Sequence, residues 1–104
     1  MIRLSNYVGQ VLTFKINSGE ELIAKVTAAT GNDQFIELSD PVSIAPSQHS
    51  MGLVPSMFTA DPKEKVLLNT NSISIFAVTE DSVKMKYIEA TTGIKVPDKK
   101  IILG

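Results

Sequence analysis

A hydrolase needs a nucleophile, a base and a group that holds the base in place, and this chain offers few candidates for any of them. His49 is the single histidine, with Ser47, Ser50 and Asp61 in the same stretch. Neither serine lies in the Gly-x-Ser-x-Gly setting that forces a nucleophile into a strained strand-to-helix turn, and nothing nearby orients the imidazole. The adjacent carboxylates Glu20-Glu21 and Glu80-Asp81 fall at a hairpin signal and a helix start, where acids are solvated or cap backbone N–H groups. Cysteine is absent, which removes a thiol nucleophile, a disulfide and a thiolate metal site at once. One histidine without cysteine makes no metal cluster. Ala29-Thr30-Gly31-Asn32 has the glycine of a phosphate loop but neither its lysine nor a following helix. The expectation is a protein that is not an enzyme, with no catalytic or metal-ligating residues, no cofactor and no small-molecule substrate.

Charge narrows the partners. Ten basic residues stand against eleven acidic ones, a formal net charge of −1. Arg3 is the only arginine, and of the lysines only Lys99-Lys100 are adjacent. Such a chain does not bind nucleic acid by bulk electrostatics. No stretch approaches the roughly 20 apolar residues of a membrane span, and Met1 to Asn6 has no apolar region of signal-peptide type. A cytoplasmic protein without a membrane partner is expected. The 104 residues suffice for one domain, and aromatics at 6% require that its core be aliphatic.

Alternation organises the first half. Leu4 to Val8 reads as a short helical turn stopped by Gly9. Leu12, Phe14 and Ile16 then share one face of a strand, and Asn17-Ser18-Gly19-Glu20 is a hairpin signal in which Gly19 supplies positive φ. On the return strand, Glu21 to Ala29, Leu22, Ala24, Val26 and Ala28 share a face, the small alanines suiting the concave side of a tightly curved sheet. After the turn Gly31-Asn32-Asp33, a third strand runs from Phe35 to Ile44 with Ile36, Leu38, Val42 and Ile44 in phase. Pro41 inside it marks an edge, a bulge or a sharp bend. Residues 45–64, with Pro46, Gly52, Pro55 and Pro62, read as a long loop whose apolar Met51, Leu53, Val54, Met57 and Phe58 must pack as a lid on the core or form a partner surface. Val66-Leu67-Leu68 and Ile73 to Val78 are strands four and five, around Asn69-Thr70-Asn71-Ser72. Acids at Glu80 and Asp81, an i, i+4 pair of Glu80 with Lys84, and Gly93 beyond the last turn favour a helix over 80–92, although Val83 to Tyr87 also alternates as a strand would. Residues 94–104 form a tail in which Ile101-Ile102-Leu103 must pair or pack.

A five-stranded antiparallel meander behind a short helical turn resembles the Sm-like small barrel. Val8-Gly9-Gln10 and Ser18-Gly19-Glu20-Glu21 resemble the opening of the first Sm motif, and Val66 to Ile73 is similar in shape to the second. More narrowly, Gly19 to Val26, Pro41-Val42, Gly52-Leu53-Val54-Pro55 and Thr92-Gly93-Ile94-Lys95-Val96-Pro97 resemble Sm-like proteins of tailed phages, notably cyanophages. The resemblance implies a mainly β, strongly bent five-stranded small barrel, a single domain over residues 1–104, a non-enzymatic role related to RNA, and a home in the host cytoplasm. It also implies that RNA would touch two turns facing a pore, Thr30, Asn32, Asp33 and Gln34 with Asn69, Thr70 and Asn71. Those stretches keep amides and hydroxyls but lack the cation and the flat stacking group that RNA-binding family members add. A ring that binds protein alone is the alternative.

Assembly follows from the pattern itself. Strict alternation puts Ile73, Ile75 and Ala77 on one face of the fifth strand, with Phe76 and Val78 on the other, and Val66, Leu67 and Leu68 are likewise apolar on both faces. One small barrel has one interior, and its open strand edges invite another chain. Val66, Leu67, Leu68, Ile73, Ile75, Phe76 and Val78 are therefore the expected interface between copies. A head-to-tail contact of this kind closes into a ring or runs on as a filament. The family resemblance implies a ring, here of about five to seven subunits.

Overall fold

The computed structural model describes residues 3–30, 32–46, 51–57, 59–61 and 63–92. Ser47, His49, Ser50, Phe58, the Gly93 cap, Lys99-Lys100 and the apolar stretch Ile101 to Leu103 lie outside the described residues.

A 3-10 turn, Leu4–Tyr7, opens the chain, as its short apolar spacing suggested, and drops Leu4 into the core. Six antiparallel strands follow: β1 (Val11–Ile16), β2 (Glu21–Thr30), β3 (Phe35–Pro46), β4 (Met51–Pro55), β5 (Val66–Asn69) and β6 (Ile73–Val78). A second 3-10 turn, Thr70–Ser72, joins β5 to β6, and the helix α1 spans Asp81–Thr92. The β1–β2 turn is the expected hairpin, with Gly19 at φ 101° and Gly19 N donating to Ile16 O. All strands lie in one sheet of order β4-β3-β2-β1-β6, with β5 also paired to β3.

The strand count differs from the five expected because part of the segment 45–64 is not loop. β3 continues to Pro46 and β4 pairs back on it from Met51 to Pro55. Gly52 read as a breaker, but it is there for close approach: a Cβ at this position would lie 3.3 Å from the Ala45 carbonyl oxygen. Pro55 ends the strand, where its missing N–H costs least.

Three one-residue bulges decide which side chains reach the core. Between the pairs Ile23↔Val42 and Lys25↔Ser39, β3 carries one residue more than β2. Asp40, at φ 52°, and Pro41 sit in that excess, the sharp bend that Pro41 announced. A single extra residue turns everything beyond it to the opposite face. Ile36 and Leu38 thus belong to the interior cluster with Leu12, Phe14, Leu22, Ala24 and Val26. Val42 and Ile44, in phase with them by sequence, lie on the other face with Val11 and Ile23. A second bulge, at Thr27 in β2, brings Ala29 to the interior instead of the expected Ala28. A third, at Ser74 in β6, puts Ile73 and Phe76 on the same inner side, where Phe76 meets Tyr7 edge-on at 5.4 Å between ring centroids.

The helix explains why the outer face is apolar near β3. Val83, Tyr87 and Ile88 pack over Val11, Ile23, Val42 and Leu53. Tyr87 is only 3% exposed. Its hydroxyl donates to Ser39 O at 2.8 Å and accepts from Lys25 N at 3.2 Å, filling the gap beside the β3 bulge. Burial pushes this phenol up to about 12 from 10.0, with the Asp40 charge adding to the rise and the Lys25 N–H opposing it. At the helix start the Glu80 carboxylate turns on its own first turn: it accepts from the Ser82 hydroxyl and from Val83 N. These bonds hold its pKa below the usual carboxylate value. No helix among the described residues is long and apolar enough to cross a membrane.

Candidate functional site

The two turns singled out by sequence meet at one rim. The second 3-10 turn is seated on the β2–β3 turn by Thr70, whose N–H donates to Gln34 O at 2.9 Å and whose hydroxyl reaches Asp33 O at 2.7 Å and Gln34 O at 3.0 Å. Asn32 and Asp33 adopt left-handed backbone, φ 56° and 68°, a conformation that Asn and Asp accept more readily than most residues. Asn69 caps the 3-10 turn, its Oδ1 accepting from Asn71 N at 2.9 Å. The rim is thereby rigid at Asn69 and Thr70, while Asn32, Gln34 and Asn71 are exposed. Thr30 closes β2 at its edge, also exposed.

Three residues not expected at this rim join it. Arg3 Nε bonds Asp33 Oδ2 at 3.1 Å and brings a guanidinium to a surface that had no cation in the local sequence. Phe35, half-buried, is the ladder partner of Asn69, so an aromatic side chain stands beside an amide. Asn17 reaches across from the β1–β2 turn, donating from Nδ2 to Asn71 O at 2.9 Å and accepting from the Ser74 hydroxyl at 2.5 Å. Asn17 had a weak signal, an amide at a strand end, whereas Arg3 had none, being 30 positions from its partner. Chemically the rim offers amide donors and acceptors, hydroxyls, a half-exposed ring and one neutralised cation. Such groups recognise hydrogen-bonding edges, and none of them is an activated nucleophile.

The seven residues expected at an interface divide by burial. Leu67, Ile75 and Val78 are exposed, at 59%, 65% and 56%. Leu68, Ile73 and Phe76 pack against the interior cluster, the last two because of the Ser74 bulge, and Val66 is half-buried at the mouth of a cleft. Asp61, grouped with His49 by sequence, lines the same cleft. Among the described residues no three His, Cys, Asp or Glu side chains are grouped to hold a metal ion.

No family model matches the chain and no curated protein matches it. Among 31 solved chains that do match is one from a structure described as the crystal structure of the NatC complex bound to CoA. It is 13% identical, with a TM-score of 0.48, and the match covers 82% of this chain and 95% of that one. A likeness that loose carries no argument for this chain.

Proposed function

We propose that this protein is a non-catalytic assembly module of the Sm-like kind, which closes head-to-tail into a homo-oligomeric ring of about five to seven copies. The observation that carries this reading is the state of the sheet edges. Among the described residues β6 pairs only with β1, and β4 and β5 pair only with β3, so neither end of the sheet has a second strand partner there. Soluble proteins defend such edges with charges, inward lysines or proline. Here Met51–Pro55, Val66–Asn69 and Ile73–Val78 carry no charged residue, and Pro55 at the end of β4 is their one proline. Ile75 and Val78 lie bare on one edge strand and Leu67 on another. Joining β6 of one copy to the β4–β5 edge of the next satisfies both ladders and covers all three side chains. The two edges differ, so the contact is head-to-tail.

Multi-angle light scattering of the full chain at micromolar concentration tests the reading. The expected mass is a five- to seven-fold multiple of 11.3 kDa. Ile75→Glu with Val78→Glu is expected to yield a monomer with an unchanged β-type circular dichroism spectrum. A wild-type monomer or two-fold dimer overturns the ring.

A second reading, RNA contact at the assembled rim, is favoured by the convergence of Arg3, Asn32, Gln34, Phe35 and Asn71 at one surface. A ring repeats that surface in every subunit, so hydrogen-bonding groups that are weak singly can act together on one strand. Fluorescence anisotropy with U-rich, A-rich and mixed RNA at low and physiological salt tests it. Binding to all three no tighter than to an unrelated acidic protein leaves the protein-only ring as the function.

A further inference from the structure

A cleft of about 320 Å³ opens where the last turn of α1 passes the bend of β3 and the end of β4. Its lining includes the apolar Val42, Leu53, Met57 and Val66 together with three carboxylates, Asp40, Asp61 and Glu64. No cation within the described residues is paired with any of the three. Met57 is half-exposed at the lip. Ala90 and Thr91 form one wall, and α1 ends one residue later, at Thr92. The chain therefore leaves the helix at the mouth of an acidic, apolar cleft.

The sequence that follows has the complementary chemistry. Residues 93–104 carry Lys95, Lys99 and Lys100 against one acid, Asp98, and five aliphatic residues, Ile94, Val96, Ile101, Ile102 and Leu103. Ile94 and Val96 alternate with Lys95, so an extended chain can turn both aliphatic side chains one way and the ammonium the other. Three extended residues span about 10 Å, so Lys95 lies within reach of the cleft from Thr92. The volume is at the lower end of ligand-sized cavities, about 300–1,000 Å³, which suits a few side chains rather than a folded element.

We propose that the C-terminal segment 93–104 docks into the cleft of its own chain, its lysines facing Asp40, Asp61 and Glu64 and its aliphatic residues covering Leu53, Met57 and Val66. This inference does not rest on ring assembly, since every residue invoked belongs to one chain.

The chain contains no cysteine, so a single introduced one can be labelled uniquely. A nitroxide at position 98 of an Asp98→Cys full-length chain is expected to broaden the methyl NMR signals of Leu53, Met57 and Val66 several-fold relative to a diamagnetic label, and to leave Leu4 in the interior unaffected. Asp61→Lys combined with Glu64→Lys is expected to remove the broadening. Mixing spin-labelled chains with separately isotope-labelled chains reports contacts between copies and is expected to give none. Absence of broadening, its survival through the double charge reversal, or its appearance between chains in the mixture overturns the proposal.

Discussion

Tyr87→Phe removes one oxygen from the place where helix and sheet are fastened together. Among the described residues the phenol alone bridges Lys25 N and Ser39 O, two groups facing each other across the β2–β3 ladder beside the Asp40 bulge. Deleting it leaves a part-buried N–H and carbonyl short of a partner, where the typical cost of about 1–3 kcal/mol for a fully buried group is an upper range. The 3.2 Å bond from Lys25 is the weaker of the two, which places the expected loss near about 1–2 kcal/mol. For a domain of this size that is a fall in Tm of roughly 4–16 °C. Alkaline pH adds an independent readout. The folded pKa lies near 12 against 10.0 for the free group. The stability it contributes is therefore complete below pH 10 and declines as pH rises through the 10–12 window, by at most about 2–3 kcal/mol. Lysines titrate there too, so the quantity to follow is the difference between wild type and variant. Urea denaturation across that range, with phenolate ultraviolet absorbance recorded in parallel, measures both. A variant within about 0.5 kcal/mol of wild type, together with an identical alkaline profile, would refute the assignment of Tyr87 as the fastener.

The remaining predictions concern the interior and the helix start. Phe14→Ala empties the centre of the interior cluster, where Phe14 is wholly buried, and is expected to cost about 3–5 kcal/mol by chemical denaturation, a large share of the ordinary stability of a small domain. Glu80→Gln is expected to lower helix content and stability at neutral pH, because the carboxylate accepts from the first turn of α1. Its folded pKa is depressed, so the difference from wild type should shrink as pH falls through the carboxylate range, read by circular dichroism at successive pH values. A gap that persists in strong acid would mean that Glu80 acts through packing.

The sequence and the structure part company at single residues. Strands, turns and the helix start were legible because each has a local cause: alternation, Gly19, Asn32-Asp33, and acids before an apolar stretch. Face assignments failed after Thr27, Asp40 and Ser74, since a bulge adds one residue without changing composition and so leaves no trace in a period of two. The same blindness concealed how the outer face of β3 is covered. By period alone Val42 and Ile44 fall in phase with the interior residues Ile36 and Leu38, whereas in the structure they lie on the face that α1 covers. β4 was missed because Gly52 and Pro55 are breakers on average, yet here one answers a close approach and the other a strand end. In place of the Glu80–Lys84 pair expected on the helix, the Glu80 carboxylate accepts from the Ser82 hydroxyl and Val83 N in its own first turn. At the rim, both turns were readable from residue type. Arg3 and Phe35 were not, because they arrive through topology, and Asn17 gave only the weak signal of an amide at a strand end.

β4 and β5 lie along the same edge of β3, one leaving opposite Val42 and the other beginning opposite Leu38. The ten residues between Pro55 and Val66 thus connect two strand ends that are each held by a ladder. Chain added there neither shifts a register nor opens a new path through the interior, and loop-closure entropy grows only with the logarithm of length. The fold therefore has a port at which foreign sequence can be spliced in while the surrounding sheet stays blind to it. Relatives diverging from this chain are freest to change size at that point, and an engineer wishing to display a peptide on this scaffold would begin there.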